Sequence, residues 1–194
     1  MIVVTKLRCF GFFLLIGLSI CSFGCQSPAD SADDAPQPLP QFFDLKGYFE
    51  KEIERLEQQQ VTISKKITLD GQVEQQRLDS INFSEELSVF TKSAINRPAW
   101  LDQYRVDSTF QEDKLISIHY EALAEDLKTR HLDIDFDGQG NVQHIKIDNL
   151  LKAIIATTQQ RLSYTPADGY SIYNKQEVTL SESQEMKIAV TFEE

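Results

Sequence analysis

From position 61 to the C-terminus the chain keeps returning to a period of two. Val61, Ile63, Lys65, Ile67 and Leu69 alternate with polar neighbours. Tyr104, Val106, Ser108 and Phe110 do the same, followed by Ile116, Ile118, Tyr120 and Ala122. Leu132, Ile134 and Phe136 alternate, then Val142, His144, Ile145 and Ile147, and finally Met186, Ile188, Val190 and Phe192. Such alternation places one set of side chains on a buried face and the other in water, and a helix cannot satisfy it. Between these runs stand turn formers: Asp70-Gly71, Glu112-Asp113 and Asp137-Gly138-Gln139-Gly140-Asn141. Short turns join strands that run antiparallel, so the pattern demands hairpins.

Two stretches break the period. Phe42, Leu45, Phe49, Ile53 and Leu56 repeat at three and four with charges between them, which predicts an amphipathic helix. Its opposite face mixes Glu50, Glu54 and Glu57 with Lys46, Lys51 and Arg55, which favours packing on a sheet over lying on a membrane. Asn82 with Glu85 has capping-box spacing, and Phe83, Leu87, Phe90 and Ala94 form a second apolar stripe that ends at Asn96-Arg97-Pro98. Positions 149–162 fit either state. Leu150, Leu151, Ile154 and Ile155 have helical spacing, the Ile and Thr content suits a strand, and a short helix is the reading taken. Helices early and hairpins later predict an α+β fold: a curved antiparallel sheet of roughly eight strands with two or three helices packed on one face.

The N-terminal region has another character. Lys6 and Arg8 precede an apolar run at 9–21 that is short of the about 20 residues a spanning helix needs. Ser22-Phe23-Gly24-Cys25 follows. This anatomy resembles the signal peptide and lipobox of bacterial lipoproteins, with Gly24 and Cys25 matching that pattern. The resemblance implies cleavage before Cys25 and acylation, by palmitate-type chains, of its sulfur and amine. All three cysteines lie at or before position 25, so the processed chain would hold no other thiol. Several acyl chains, at about 0.8 kcal/mol per buried methylene, would hold the protein stably.

Positions 26–40 carry four of the six prolines together with Asp30, Asp33 and Asp34, a composition that cannot bury apolar surface. As an extended tether this segment would reach on the order of 45 Å. Asp30-Ser31-Ala32 within it resembles an Asp-Ser/Thr-apolar motif for O-glycosylation in some bacteria, which makes Ser31 a candidate acceptor. Three regions are therefore expected: a signal peptide at 1–24, a lipidated Cys25 with its tether at 25–40, and one globular domain at 41–194.

Net charge is −11, and removal of Lys6 and Arg8 with the signal makes it two units more negative. A nucleic-acid partner, which requires clustered Lys and Arg, is not expected. Anionic headgroups would not attract this surface either, so membrane contact falls to the acyl chains.

Few motifs carry chemistry. Asp133-Ile134-Asp135-Phe136-Asp137-Gly138 has the opening of an EF-hand loop, but His144 stands where the bidentate Glu belongs and Gly140 where an apolar residue does. A strand and glycine-rich turn is the first reading; Asp133, Asp135 and Asp137 remain a calcium candidate. His119, His131 and His144 have no zinc spacing and read as surface residues. There is no Gly-x-Ser-x-Gly elbow, P-loop or Gly-x-Gly-x-x-Gly, and no cofactor is expected. Tyr164, Tyr170 and Tyr173 flank a turn and are candidates for a ligand or partner surface. The expectation for the whole is a non-enzymatic lipoprotein of the bacterial envelope, at the outer membrane, with an envelope protein as partner. The alternatives are a carrier of lipid or another amphiphile in a half-barrel cavity, and an envelope hydrolase using one of the histidines beside Ser, Asp or a metal.

Overall fold

Asp44 begins the first helix by accepting the Gly47 N–H at 3.0 Å, which satisfies a donor the helix end would otherwise leave open. The helix, α1, spans Leu45–Gln59 and ends where Gln60 turns left-handed at φ 49°. In this computed structural model, which describes residues 42–79, 81–179 and 181–193, the stripe read from the sequence faces inward. Leu45, Phe49 and Leu56 are fully buried, while Ile53 is half-buried. The second helical stretch is two separate single turns, α2 (Phe83–Glu86) and α3 (Ser88–Thr91). Asn82 caps the first by accepting the Glu85 N–H at 3.1 Å.

Nine strands follow the hairpin logic: β1 (Thr62–Leu69), β2 (Gln72–Leu78), β3 (Tyr104–Gln111), β4 (Lys114–Ala122), β5 (Thr129–Phe136), β6 (Val142–Lys152), β7 (Ala156–Thr165), β8 (Gly169–Val178) and β9 (Gln184–Glu193). They form one antiparallel sheet in the order β2-β1-β9-β8-β7-β6-β5-β4-β3. Strands β3 to β9 are thus a continuous meander, and β1 closes the order by pairing with β9 from the far end of the chain. The architecture is the curved α+β sheet with helices on one face that the sequence predicts, with nine strands where roughly eight are expected. The described residues lie within one compact unit.

Turn chemistry sets the registers. Asp70 and Gly71 both take positive φ, 47° and 85°, as do Glu112 and Asp113 at 49° and 62°. Both pairs give the backbone twist that two-residue hairpins need. Gly169 opens β8 at φ 134°, and a Cβ there would strike the Val190 carbonyl.

One expectation is overturned. Positions 149–162 are not a helix but the end of β6, a tight turn and most of β7. Leu151 pairs with Thr158 and Asn149 with Gln160. The helical spacing of Leu150, Leu151, Ile154 and Ile155 arises because the last two sit in the turn, where Ile154 is entirely exposed.

The helix-facing side of the sheet is arranged in rows. One contains Val190, Tyr170, Tyr164, Ile145 and Ile134, side by side across five strands. The next contains Ile188, Ile172, Leu162, Ile147 and Leu132. Phe49 and Phe90 lie over the first row, with Phe49 5.0 Å from Tyr164 and 4.8 Å from Phe90 between ring centroids. Side chains therefore fill the space between sheet and helices.

Candidate functional site

Beyond the two apolar rows the sheet continues and its chemistry changes. The third row reads Leu69, Met186, Asn174, Gln160, Asn149 and Thr129. A fourth holds Gln184, Gln176, Thr158 and Leu151. Four amides of these two rows, with Thr158, Leu69, Leu151 and Met186, line a trough of about 260 Å³ on the helix-facing side of the sheet.

Two of these amides, Gln160 and Asn174, belong to a fixed chain of hydrogen bonds. The Ser93 hydroxyl donates to the Val89 carbonyl at 2.8 Å and accepts from Asn149 Nδ2 at 2.8 Å. Asn149 Nδ2 also donates to Gln160 Oε1 at 2.9 Å, and Gln160 Nε2 donates to Asn174 Oδ1 at 2.9 Å. Thr129 Oγ1 lies 3.0 Å from both the Ser93 carbonyl and Asn149 Oδ1. Ser93, Thr129 and Asn149 are the buried polar residues among those described, and all three sit at the inner end of this chain. A bulge between Thr129 and His131 makes this possible, because the slip allows both Thr129 and Leu132 to face the helices. The sequence signal for the trough was weak: Asn149 and Gln160 fall in the stretch read as a short helix, which leaves only Asn174 and Gln176 at alternating positions of one strand.

Two larger concavities, of about 530 and 460 Å³, flank the end of α1 and share Leu56, Gln60, Val61 and Thr62. They are seams between α1 and its neighbours. Their polar groups, among them Glu57, Gln59 and Asp79, are exposed and converge on nothing.

The outer face carries the three histidines. His119 contacts Asp133, and its ring stacks on His131 with centroids 5.7 Å apart. His144 Nε2 and Ser163 Oγ share a 2.7 Å hydrogen bond, with Asp135 Oδ2 3.7 Å from His144 Nδ1. Burial, reinforced by Lys146, holds His144 below the ordinary imidazole pKa. A concavity of about 460 Å³ lined by His144, Thr165, Pro166 and Ala167 adjoins it. Serine, histidine and aspartate thus stand in sequence, but acyl transfer also needs donors aimed at a developing oxyanion. Strands β6, β7 and β8 commit their backbone amides to one another around Ser163, and the aspartate is beyond hydrogen-bond reach of the imidazole.

The other sequence candidates resolve differently. Asp137 does not converge with Asp133 and Asp135. Its Oδ1 accepts the Gln139 and Asn141 N–H groups at 2.8 and 2.9 Å, and its Oδ2 accepts from the Asn141 amide at 3.0 Å. The Asn141 side chain, chiefly, holds this carboxyl below the usual range. Asp133 and Asp135 instead stand on the outer face of β5, facing His119 and Ser117 across β4. The calcium candidate is therefore a strand and a turn, and among the described residues no group of three or more acidic, His or Cys side chains is placed to hold a metal.

The tyrosine surface is likewise corrected. Tyr164 is fully buried and Tyr170 nearly so. Their hydroxyls donate to Glu52 at 2.5 Å and Glu86 at 2.7 Å. Both belong to the inner row, and period two makes that unavoidable once Leu162 and Ile172 face the helices. Tyr173 alone of the three faces out, where Arg161 lies 5.1 Å over its ring. Cys25 and Ser31 lie outside the described residues. No helix among the described residues is long and apolar enough to cross a membrane.

The fold and this trough define an open-sheet α+β domain with a filled helix–sheet interface and a polar floor beyond it. No protein-family model, curated protein or solved structure matches the chain.

Proposed function

We propose that this protein is a lipoprotein of the bacterial envelope, held at the outer membrane by acyl chains on Cys25, and that its domain is a non-enzymatic binding module. The lipobox-like Ser22-Phe23-Gly24-Cys25 and the proline-rich stretch after it support the anchor. The observation that carries the binding role is the extension of the sheet by two polar rows past its two apolar ones, with the amides of the nearer row held in place by hydrogen bonds. A carrier of amphiphiles would need an apolar cavity between sheet and helices, and Phe49, Phe90 and Tyr164 occupy that space.

The test has two parts. Intact-mass measurement of the native protein should give a chain starting at an acylated Cys25; any other first residue overturns the anchor. Pulldown from solubilised envelopes, against bare resin, should recover a specific envelope component with the acylated protein and with Cys25→Ala, which keeps the domain. Recovery of resin background alone by both forms overturns the binding role.

A further inference from the structure

The trough has no charged side chain in its lining. A quarter of the chain is charged, so this is a local exception. A charged ligand placed there would lose water and gain no counter-charge. An apolar ligand would cover amides that then go unpaired, at about 1–3 kcal/mol each. What fits is neutral and rich in groups that both donate and accept.

The hydrogen-bond chain sets what the trough offers. Asn149 and Gln160 each use an amide N–H to hold the next carbonyl, so the run ends at Asn174 with its Oδ1 occupied and no hydrogen-bond partner for its Nδ2 among the described residues. Thr158, Gln176 and Gln184 add side-chain donors and acceptors that have no side-chain partner among the described residues. Leu69 and Leu151, each about two-fifths exposed, supply apolar surface at the rim beside Met186. Alternating amides with flanking aliphatics suit a sugar ring, whose hydroxyls meet the former and whose C–H face meets the latter.

An extended peptide is disfavoured by position. Peptides add to sheets through backbone groups at an edge. The floor here is the face of the interior strands β6 to β9, whose backbone groups already pair. At about 260 Å³ the trough is smaller than the roughly 300–1,000 Å³ of drug-sized pockets. It would hold a chain end or a short stretch of a longer polymer.

We propose that this trough binds an uncharged oligosaccharide, with Asn174, Gln176 and Gln184 reading its hydroxyls. The inference rests on the binding-module reading and gives that module a ligand class. The experiment is a titration of the full acylated protein in lipid nanodiscs, with nitrogen-labelled side-chain amides followed by NMR. The probes are chitotriose derivatised as the neutral triacetyl form, maltotriose and cellotriose, with trigalacturonate as the charged counterpart.

At least one neutral probe should shift the Asn174 and Gln176 amide signals at millimolar concentration, and trigalacturonate should not. Gln176→Leu, an exposed substitution outside the hydrogen-bond chain, should weaken that binding by about tenfold while leaving the fold intact. Silence of these amides towards every neutral probe overturns the proposal, as does an equal response to trigalacturonate. The two readings fail separately. If the sugars are ignored but the envelope pulldown yields a specific protein, the sugar inference falls and the binding module stands.

Discussion

Glu52 joins the helix to the sheet through two contacts. Its carboxylate accepts from Arg55 at 2.9 Å and from the Tyr164 hydroxyl at 2.5 Å, and Arg55 in turn donates to the Pro166 carbonyl at 3.1 Å. That contact fixes α1 over β7 and over the turn into β8. Removing the carboxylate would strand a buried phenol and a half-buried guanidinium. Glu52→Ala should cost about 2–4 kcal/mol, read from the shift in a urea midpoint at constant slope. Tyr164→Phe, which removes the donor with the acceptor still held by Arg55, should cost less, about 1 kcal/mol. Equal losses for the two variants would show that the Tyr164–Glu52 hydrogen bond alone, and not the Arg55 pair, accounts for the carboxylate's contribution. The sequence displayed Glu52 only as one more acid on a helix. Its partner lies 112 positions away, and no local pattern reports a pairing at that distance.

Elements depend on the same kind of long reach. Lys65 of β1 pairs with Glu86 of α2 at 2.5 Å, and Glu86 also accepts from Tyr170 of β8 at 2.7 Å, so one short helical turn is pinned to two strands. A turn of four residues has no stability of its own. The buried polar cluster performs the matching task for α3: Ser93, just past its end, is tied to Thr129 and Asn149. Asn149→Leu keeps the branched shape but leaves the Ser93 and Thr129 hydroxyls and Gln160 each with one partner fewer. The expected loss is about 2–3 kcal/mol by chemical denaturation, with faster amide exchange at 88–93. A variant as stable as the parent would mean that the cluster is replaced by water without cost. Most element boundaries were legible from alternation and turn residues. The β6–β7 hairpin was not, since Ile154 and Ile155 look like a buried stripe and are in fact a turn that nothing covers.

At the scale of the whole molecule, burial of tyrosines sets a limit in alkali. Burial raises Tyr48, Tyr104, Tyr120, Tyr164 and Tyr170 above the ordinary phenol, with Tyr104 pushed up to about 12. Each is an acid whose folded-state pKa exceeds its unfolded value. Their stabilisation is complete below about pH 10 and is lost as pH rises towards and through the folded values. Tyr104 alone accounts for roughly 2–3 kcal/mol at full ionisation. The denaturation midpoint should therefore hold from pH 7 to 9 and fall steeply above pH 10, in step with the tyrosinate absorbance at 295 nm. A midpoint independent of pH up to 12 would place these phenols in water. The pairing of β1 with β9 joins the two ends of the domain, and such non-local closure predicts folding in the millisecond-to-second range.

By itself the sequence determined the alternation, the turns and the first helix, and with them an antiparallel sheet covered on one side. Each of these is written in residues only a few positions apart. It also carries the segment on which the anchor at Cys25 is proposed. Only the tertiary structure decided that β1 joins β9, that Tyr164 and Tyr170 turn inward and that Asp137 caps its own turn instead of converging with Asp133 and Asp135. It also aligned the amides of β6, β7 and β8 into one floor. Those outcomes depend on which strand lies beside which, and registry between strands is a property of the closed sheet that no single strand contains.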